Sequence, residues 1–229
     1  MKNILFYLLG LSLSCGCSDT NTSTEINSTE EGIFAKLPLP AKGERVATFA
    51  GGCFWSLSEA LSELKGVNKV VAGYAGGTAN NPTYEDVSTK LTGHAESVQV
   101  YYDPSLISYR DLVKAFFFAH DPTTPDRQGP DEGPNYRSIA FYRDIEEKRI
   151  LDSMINQINN IHQYSDTVVT QLLRFKTFYP AENDHQGYYR SHPESTYILE
   201  VSQPKVFKFR KAMYKQLKQE FQSTNDRKL

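Results

Sequence analysis

The stretch "RVATFAGG" (45–52) runs directly into "CFWSLSEALSELKG" (53–66), and the pattern changes at this junction. The first part has the composition of a short strand that ends in two glycines. Apolar residues then recur at helical spacing, namely Leu57, Ala60, Leu61 and Leu64. Gly66 is a natural stop. The sequence therefore predicts a strand that leads into a helix, with Cys53 in or just before the first helical turn.

The position of Cys53 favours chemistry over packing. Unpaired amides and the helix dipole at a helix start stabilise an anion, so the sequence predicts a lowered thiol pKa. Gly51 and Gly52 let a ligand approach the backbone closely. Without this context a lone cysteine in a domain is more often a small buried hydrophobe.

Four segments of the chain resemble the peptide methionine sulfoxide reductase A family, whose signature is Gly-Cys-Phe-Trp. They are "GGCFWSLSEAL" (51–61), "VVAGYAGGTANNPTYEDVSTKLTGHAESVQVYYDP" (70–104), "FFFAHDPTTPDRQGPDEGPNYRSIAFY" (116–142) and "FYPAENDHQGYYRSHP" (178–193). The resemblance covers roughly Arg45 to Pro193. It implies reduction of methionine sulfoxide, free or within proteins and with preference for the S epimer, to methionine. The reaction requires no cofactor, and we expect no metal.

The resemblance assigns the two catalytic roles to Cys53 and Glu96. Cys53 is the nucleophile that becomes a sulfenic acid, and Glu96 in "GHAES" is the proton donor. Val98, Val100 and Tyr102 alternate after Glu96, which places this carboxyl on the inward face of a strand, where it holds its proton more tightly. From the residues alone, a carboxylate in solvent or in a salt bridge is as good an interpretation.

Five further residues are assigned to substrate binding by the same resemblance. Tyr84 and Tyr136 would bind the oxygen, and Asp131 would support the site around the thiolate. Phe54 and Trp55 would form the apolar slot for the methyl group. Three residues depart from the family pattern, namely Ser56, Glu132 and Pro134.

No cysteine follows Cys53, although many family members carry resolving cysteines near the C-terminus. The other two cysteines, Cys15 and Cys17, lie in the leader. We therefore expect the sulfenic acid to be reduced by an external thiol donor, such as a thioredoxin-like protein.

The N-terminus reads as an export signal. Residues 1–17 resemble a lipoprotein signal peptide with Cys17 as the lipidated residue, although Cys15 remains an alternative and the usual leucine is missing before both. Plain secretion by cleavage nearby is the other interpretation. The polar residues 18–40 would form a flexible tether. The expected location is the periplasm or cell envelope, either membrane-anchored or soluble.

The remaining pattern predicts an α+β domain over residues 41–203: a two-layer α/β sandwich, ferredoxin-like by resemblance, with a long irregular C-terminal section. Capping pairs Ser108/Asp111 and Asp144/Glu147 open two helices. Strands are predicted at 137–142 and 166–173, and a loop at 121–135. Residues 204–229 would form a basic amphipathic helix and tail, either packed on the domain or resting on an anionic membrane.

Other functions were weighed against this one. "HAE" (94–96) resembles part of a zinc deaminase motif, but the required Pro-Cys-x-x-Cys is absent. A binding protein without turnover and a thiol peroxidase remain alternatives. A net charge of −2 gives no support to a nucleic-acid partner. We expect a monomer.

Overall fold

A computed structural model describes residues 32–222 of the chain. Its centre is a six-stranded sheet, built from β1 (Arg45–Gly51), β2 (Val67–Ala75), β3 (Ala95–Tyr102), β6 (Ser138–Tyr142), β7 (Gln171–Arg174) and β8 (Phe178–Pro180). A separate two-stranded ladder pairs β4 (Arg127–Gln128) with β5 (Asp131–Glu132). The helices are α1 (Phe54–Ser62), α2 (Tyr84–Ser88), α3 (Tyr109–Ala119), α4 (Ile145–Asn160), α5 (Tyr188–Ser191) and α6 (Gln203–Met213).

The strand order in the large sheet is β7-β6-β1-β3-β2-β8. All neighbours are antiparallel except β6 and β7. The four central strands and the helices α1 and α3 follow one another as β1-α1-β2-β3-α3-β6. The predicted mixed α/β fold is confirmed, while its ferredoxin-like classification stays a prediction. This order brings the C-terminal end of β1 beside the N-terminal end of β3, where Cys53 and Glu96 lie.

The main core lies between the sheet and the helices α1, α3, α4 and α6. It is rich in aromatic side chains, and Phe49 stacks on Phe116 with ring centroids 4.7 Å apart. A smaller cluster around Phe178 and Tyr101 covers the opposite face of the sheet. Because both faces of β1 are covered, its C-terminal half is fully buried and holds the turn before Cys53 rigidly.

The predicted helix starts agree with the structure. The side chains of Ser108 and Asp144 accept the backbone N–H groups of Asp111 and Glu147, so both are N-caps as predicted. Ile161 lies just beyond the end of α4 and is 62% exposed.

The strand predicted at 166–173 is wrong over its first half, because β7 begins only at Gln171. The backbone N–H groups of Val168 and Val169 donate to Asn159 Oδ1 and the Pro122 carbonyl instead of to a strand. The loop at 121–135 is confirmed as a structured loop and carries the small β4/β5 ladder.

The predicted tether is too long at its C-terminal end. Ala35 donates to the Ala181 carbonyl at 3.0 Å, and Asn183 donates to the Ile33 carbonyl at 2.8 Å, so this segment is part of the folded domain. The predicted signal at 1–17 and the rest of the tether up to residue 31 lie outside the described residues. No helix in the described part of the chain is long and apolar enough to cross a membrane.

The C-terminal helix is packed on the domain and is shorter than predicted. Val206, Phe209 and Met213 of α6 are buried, so its apolar side is not available to a membrane. The helix ends at Met213 because the chain then turns back, and Leu217 forms an isolated bridge with Leu64. Residues 223–229 of the predicted tail lie outside the described residues.

Candidate active site

A glycine turn places Cys53 at the start of α1. Gly52 has φ +81°, a left-handed conformation that favours glycine, and a Cβ there would lie 2.2 Å from Gln128 Cγ. Cys53 is the N-cap residue of α1, as predicted. A side chain at position 52 would therefore strain the turn and displace Gln128.

The seven predicted site residues line one cavity of about 250 Å³. They come from α1, α2, β3 and the 121–136 region, and are Cys53, Phe54, Trp55, Tyr84, Glu96, Asp131 and Tyr136. The structure thus brings together residues up to 83 positions apart in the sequence, although their individual roles stay predictions.

The predicted low pKa of Cys53 is wrong for this structure. Burial raises the pKa of the thiol to about 12, and the nearby Glu96 carboxyl acts in the same direction. Hydrogen bonds with the Tyr197 side chain and the Trp55 backbone oppose this shift without overcoming it. The residue is only 6% exposed, so loss of water outweighs the favourable position at the helix start. The thiol is therefore protonated at neutral pH.

Glu96 lies on the inward face of β3, as the alternation predicted, and is 3% exposed. Burial raises its pKa to about 8, although the Phe54 backbone N–H donates to Oε2 at 3.0 Å and lowers it. This bond ties the carboxyl to the residue next to Cys53. At pH 7 the carboxyl therefore keeps its proton and can act as an acid.

Two tyrosine hydroxyls complete the polar side of the cavity. Tyr84 is the first residue of α2, whose capping box is made by Thr83 and Asp86, and its backbone N–H donates to Glu182 at 2.8 Å. Tyr136 ends the short 3₁₀ turn Pro134–Tyr136. Burial raises the pKa of Tyr84 to about 12 and that of Tyr136 further upward. Both hydroxyls therefore remain hydrogen-bond donors.

Aromatic rings form the apolar side. Phe54 is fully buried, whereas Trp55 is partly exposed at the cavity. Trp55 stacks on Tyr188 with ring centroids 3.9 Å apart, and Tyr188 in turn stacks on His192 at 4.0 Å. This stack holds the indole ring in one orientation, which leaves an apolar surface opposite the thiol.

Asp131 is held from two sides. The Tyr197 hydroxyl donates to its Oδ2 at 2.8 Å, and Lys205 Nζ lies 3.4 Å from the same oxygen. Tyr197 also contacts the sulfur of Cys53. A continuous polar chain therefore links the thiol to Asp131.

Three residues of the cavity were missed by the sequence analysis, namely Tyr188, Ser195 and Tyr197. Tyr188 begins α5, and Ser195 and Tyr197 lie in the segment after it; all three are more than 130 positions from Cys53 in the chain. The chain has 14 tyrosines, and no local pattern separates these from the others. The motif "DHQGYYRSHP" was the only signal that this region belongs to the site.

The three departures from the family pattern have simple placements. The Ser56 hydroxyl is buried and donates to Ser202 Oγ at 3.0 Å, which joins α1 to the C-terminal segment. The Glu132 side chain is 70% exposed beside Arg127, so the extra carboxylate faces solvent. Pro134 begins the 3₁₀ turn, where its missing N–H is not needed.

The histidines in the predicted motifs have structural partners. The two ring nitrogens of His94 lie 3.1 Å from the Gly77 amide nitrogen and 2.8 Å from the Ala79 carbonyl oxygen. The His185 ring packs 4.3 Å from Tyr84. Within residues 32–222 no group of three His, Cys, Asp or Glu side chains could hold a metal ion.

Comparisons with known proteins agree on one family. The family model for peptide methionine sulfoxide reductase matches residues 45–218. The chain is 48% identical over 169 residues to MsrA of Thermus thermophilus, covering 74% of this chain and 95% of the relative. It is also 48% identical over 166 residues to MsrA of Sulfolobus acidocaldarius, covering 72% and 93%.

The chain is also similar to solved structures of methionine sulfoxide reductases. Reduced Mxr1 from Saccharomyces cerevisiae is 30% identical with a TM-score of 0.65, covering 69% of this chain and 91% of that one. Methionine sulfoxide reductase A of Corynebacterium diphtheriae is 27% identical with a TM-score of 0.61, covering 72% and 91%.

Proposed function

Since the chain belongs to the peptide methionine sulfoxide reductase family, we propose that it reduces methionine sulfoxide to methionine through Cys53. The observation that supports this most is the pairing of a buried thiol with a buried, protonated carboxyl in one aromatic-lined cavity. A thiol alone would suit many reactions. A thiol beside an acid and an apolar wall suits a substrate with a leaving oxygen and a methyl group.

The reaction transfers one oxygen atom. The sulfur of Cys53 attacks the sulfoxide sulfur and forms an S–S bond to it. The oxygen then passes to Cys53, so an S–O bond to Cys53 forms while the S–S bond and the S–O bond of the substrate break. The substrate sulfur gains two electrons and leaves as a thioether, and Cys53 loses two and becomes a sulfenic acid. The proton of the Cys53 thiol has passed to solvent before the attack. Glu96 gives its own proton to the oxygen as the charge develops, and the carboxylate later regains a proton from solvent, so the atoms balance.

The polar and apolar halves of the cavity would orient the substrate. The Tyr84 and Tyr136 hydroxyls donate to the sulfoxide oxygen, where negative charge grows during the attack. Phe54 and Trp55 contact the methyl group and keep water out. Because the free thiol is protonated, attack requires the form of the site in which Cys53 has lost its proton and Glu96 keeps its own.

The direct test is turnover of separated S and R epimers of methionine sulfoxide with dithiothreitol. We expect the wild-type enzyme to reduce the S epimer and Cys53→Ser to be inactive. A binding protein would instead keep its affinity in Cys53→Ser and show no turnover in either form. A thiol peroxidase would consume peroxide in the absence of sulfoxide.

The sulfenic acid is reduced by an external thiol in this proposal. Between residues 32 and 222 Cys53 is the one cysteine, and it is free. No residue in this range can therefore form a disulfide with it. Two thiols of the donor would return Cys53 to the thiol, with release of water and formation of the donor's disulfide. A thioredoxin-like protein fits this role.

Mass spectrometry after one turnover without reductant tests this step. We expect Cys53 to carry one additional oxygen, which dimedone should trap. A disulfide between Cys53 and either leader cysteine would contradict an external donor.

The leader supports a further proposal about location. Residues 1–17 would direct export and Cys17 would be lipidated, leaving the domain on a polar linker at the cell envelope. Membrane fractionation of wild type, Cys17→Ala and Cys15→Ala tests this proposal, with loss from the membrane expected in Cys17→Ala alone. The protein would act as a monomer, which size-exclusion chromatography with light scattering can check.

A further inference from the structure

The ammonium group of Lys205 lies next to the candidate active site, in contact with Asp131. Lys205 is the third residue of α6, and its Nζ lies 3.4 Å from Asp131 Oδ2 and donates to the Gln128 carbonyl at 3.3 Å. The side chain is only 22% exposed and that of Asp131 only 9%. None of the residues that line the cavity in the described part of the chain is a lysine or arginine.

The groups that face Asp131 and the thiol are otherwise acidic or neutral. From the surrounding elements these are Cys53, Tyr84, Glu96, Tyr136 and Tyr197. The neutral ring of the buried His120 lies beyond them, bonded to the Phe116 carbonyl and Ser138. Burial, Glu96 and, to a smaller extent, the negative charge of Asp131 oppose ionisation of the Cys53 sulfur. Lys205, with Nζ 3.4 Å from Asp131 Oδ2, places a positive charge directly against that carboxylate.

We propose that Lys205 is a positioning residue of this site: its ammonium group holds and neutralises the Asp131 carboxylate, which in turn orients Tyr197 beside the sulfur of Cys53. The proposal rests on the proposed function and deepens it. Lys205 does not line the cavity, so it acts through Asp131 and not on the substrate. The role explains why a charged side chain is kept mostly out of water at the start of α6.

Lys205 also lies against the turn of the β4/β5 ladder. Gly129 has φ +65°, and the atoms nearest to a Cβ placed there are Lys205 Cε and Nζ, at 3.8 and 3.9 Å. The lysine therefore also fastens the turn of the β4/β5 ladder to α6. This second role is purely structural, so the test must separate charge from packing.

The test is the rate at which iodoacetamide, a neutral reagent, alkylates Cys53 in the full chain at pH 8, followed by peptide mass spectrometry. Below its pKa a thiol reacts in proportion to its ionised fraction. We expect Lys205→Met to react about tenfold more slowly than wild type, which corresponds to an upward shift of about one pH unit. Lys205→Arg should stay close to wild type. Lys208→Met, which removes an exposed charge from the same helix, should be unchanged.

Equal rates in Lys205→Met and wild type would overturn the proposal, as would a matching loss in Lys208→Met or a failure of arginine to rescue. If Lys205→Met does not fold, the Asp131→Asn/Lys205→Met double variant carries the test. Removal of both charges should bring the alkylation rate to near that of wild type, and a tenfold loss there would contradict the charge argument. Alkylation requires no sulfoxide, so these results are independent of whether the enzyme reduces it.

Discussion

The protonated carboxyl of Glu96 makes a specific prediction about pH dependence. Its pKa of about 8 lies well below that of the Cys53 thiol, at about 12. At low pH the thiol and the carboxyl hold two protons between them, and the reacting form of the site holds one. The first proton to dissociate comes mainly from the carboxyl, because its pKa is the lower of the two. We therefore expect kcat/KM to rise tenfold per pH unit below pH 8 and to level off above it. At pH 7 the rate should be about tenfold below the plateau.

Glu96→Gln should change both the size and the shape of this profile. Loss of the proton donor should lower kcat/KM at pH 8 by about 10²- to 10⁴-fold. Without the carboxyl, the levelling near pH 8 should disappear and the rate should continue to rise with pH. The Cys53 thiol should also alkylate faster, because the carboxyl raises the thiol pKa.

The assay is reduction of methionine S-sulfoxide with dithiothreitol from pH 5.5 to 9.5, analysed by chromatography. Glu132→Gln is the matched control, since it makes the same change at an exposed side chain next to Asp131 and should leave the profile as in wild type. The reasoning is refuted if Glu96→Gln keeps activity within about threefold of wild type, or if its profile still levels off near pH 8.

Three further predictions concern the scaffold, each measured by chemical or thermal unfolding. Gly52→Ala should destabilise by more than the roughly 1 kcal/mol expected for Gly187→Ala, because both have positive φ but only position 52 clashes, with Gln128; equal losses would contradict this. Ser202→Ala should cost about 1–3 kcal/mol by leaving the buried Ser56 hydroxyl unpaired, and Ser56→Ala/Ser202→Ala should recover part of that loss, whereas a strictly additive double variant would speak against the bond. At pH 8, above the raised pKa of Glu63, Glu63→Gln should cost about 3–5 kcal/mol because it removes the charge of a fully buried carboxylate 2.7 Å from Arg210. Glu146→Gln, in an exposed pair, should cost less than about 0.5 kcal/mol, and similar costs would disprove the distinction.

Sequence patterns predicted the elements whose formation depends on residues close together in the chain. The N-caps Ser108 and Asp144 and the alternation after Glu96 depend on neighbours within a few residues, and the structure agrees with them. The end of α6 depends instead on Leu217 meeting Leu64, which lies 153 positions away. Nothing in the amphipathic pattern of residues 204–221 records that contact.

In the site, too, the sequence predicted some features and missed those that depend on distant residues. Motifs named seven residues that the fold brings to one cavity, but the thiol pKa was predicted in the wrong direction. The raised pKa is caused mainly by burial, which an argument from the helix start alone does not take into account. The sequence likewise did not single out Lys205 among the basic residues of this helix, because only its contact with Asp131 distinguishes it from Lys208.

A single-turnover experiment with methionine S-sulfoxide and no reductant tests the oxygen transfer to Cys53 most directly. We predict one methionine formed per enzyme molecule, an equal amount of dimedone-reactive Cys53, and neither product with Cys53→Ser. Methionine formed by the serine variant, or formed by wild type while Cys53 remains an unmodified thiol, would contradict the account.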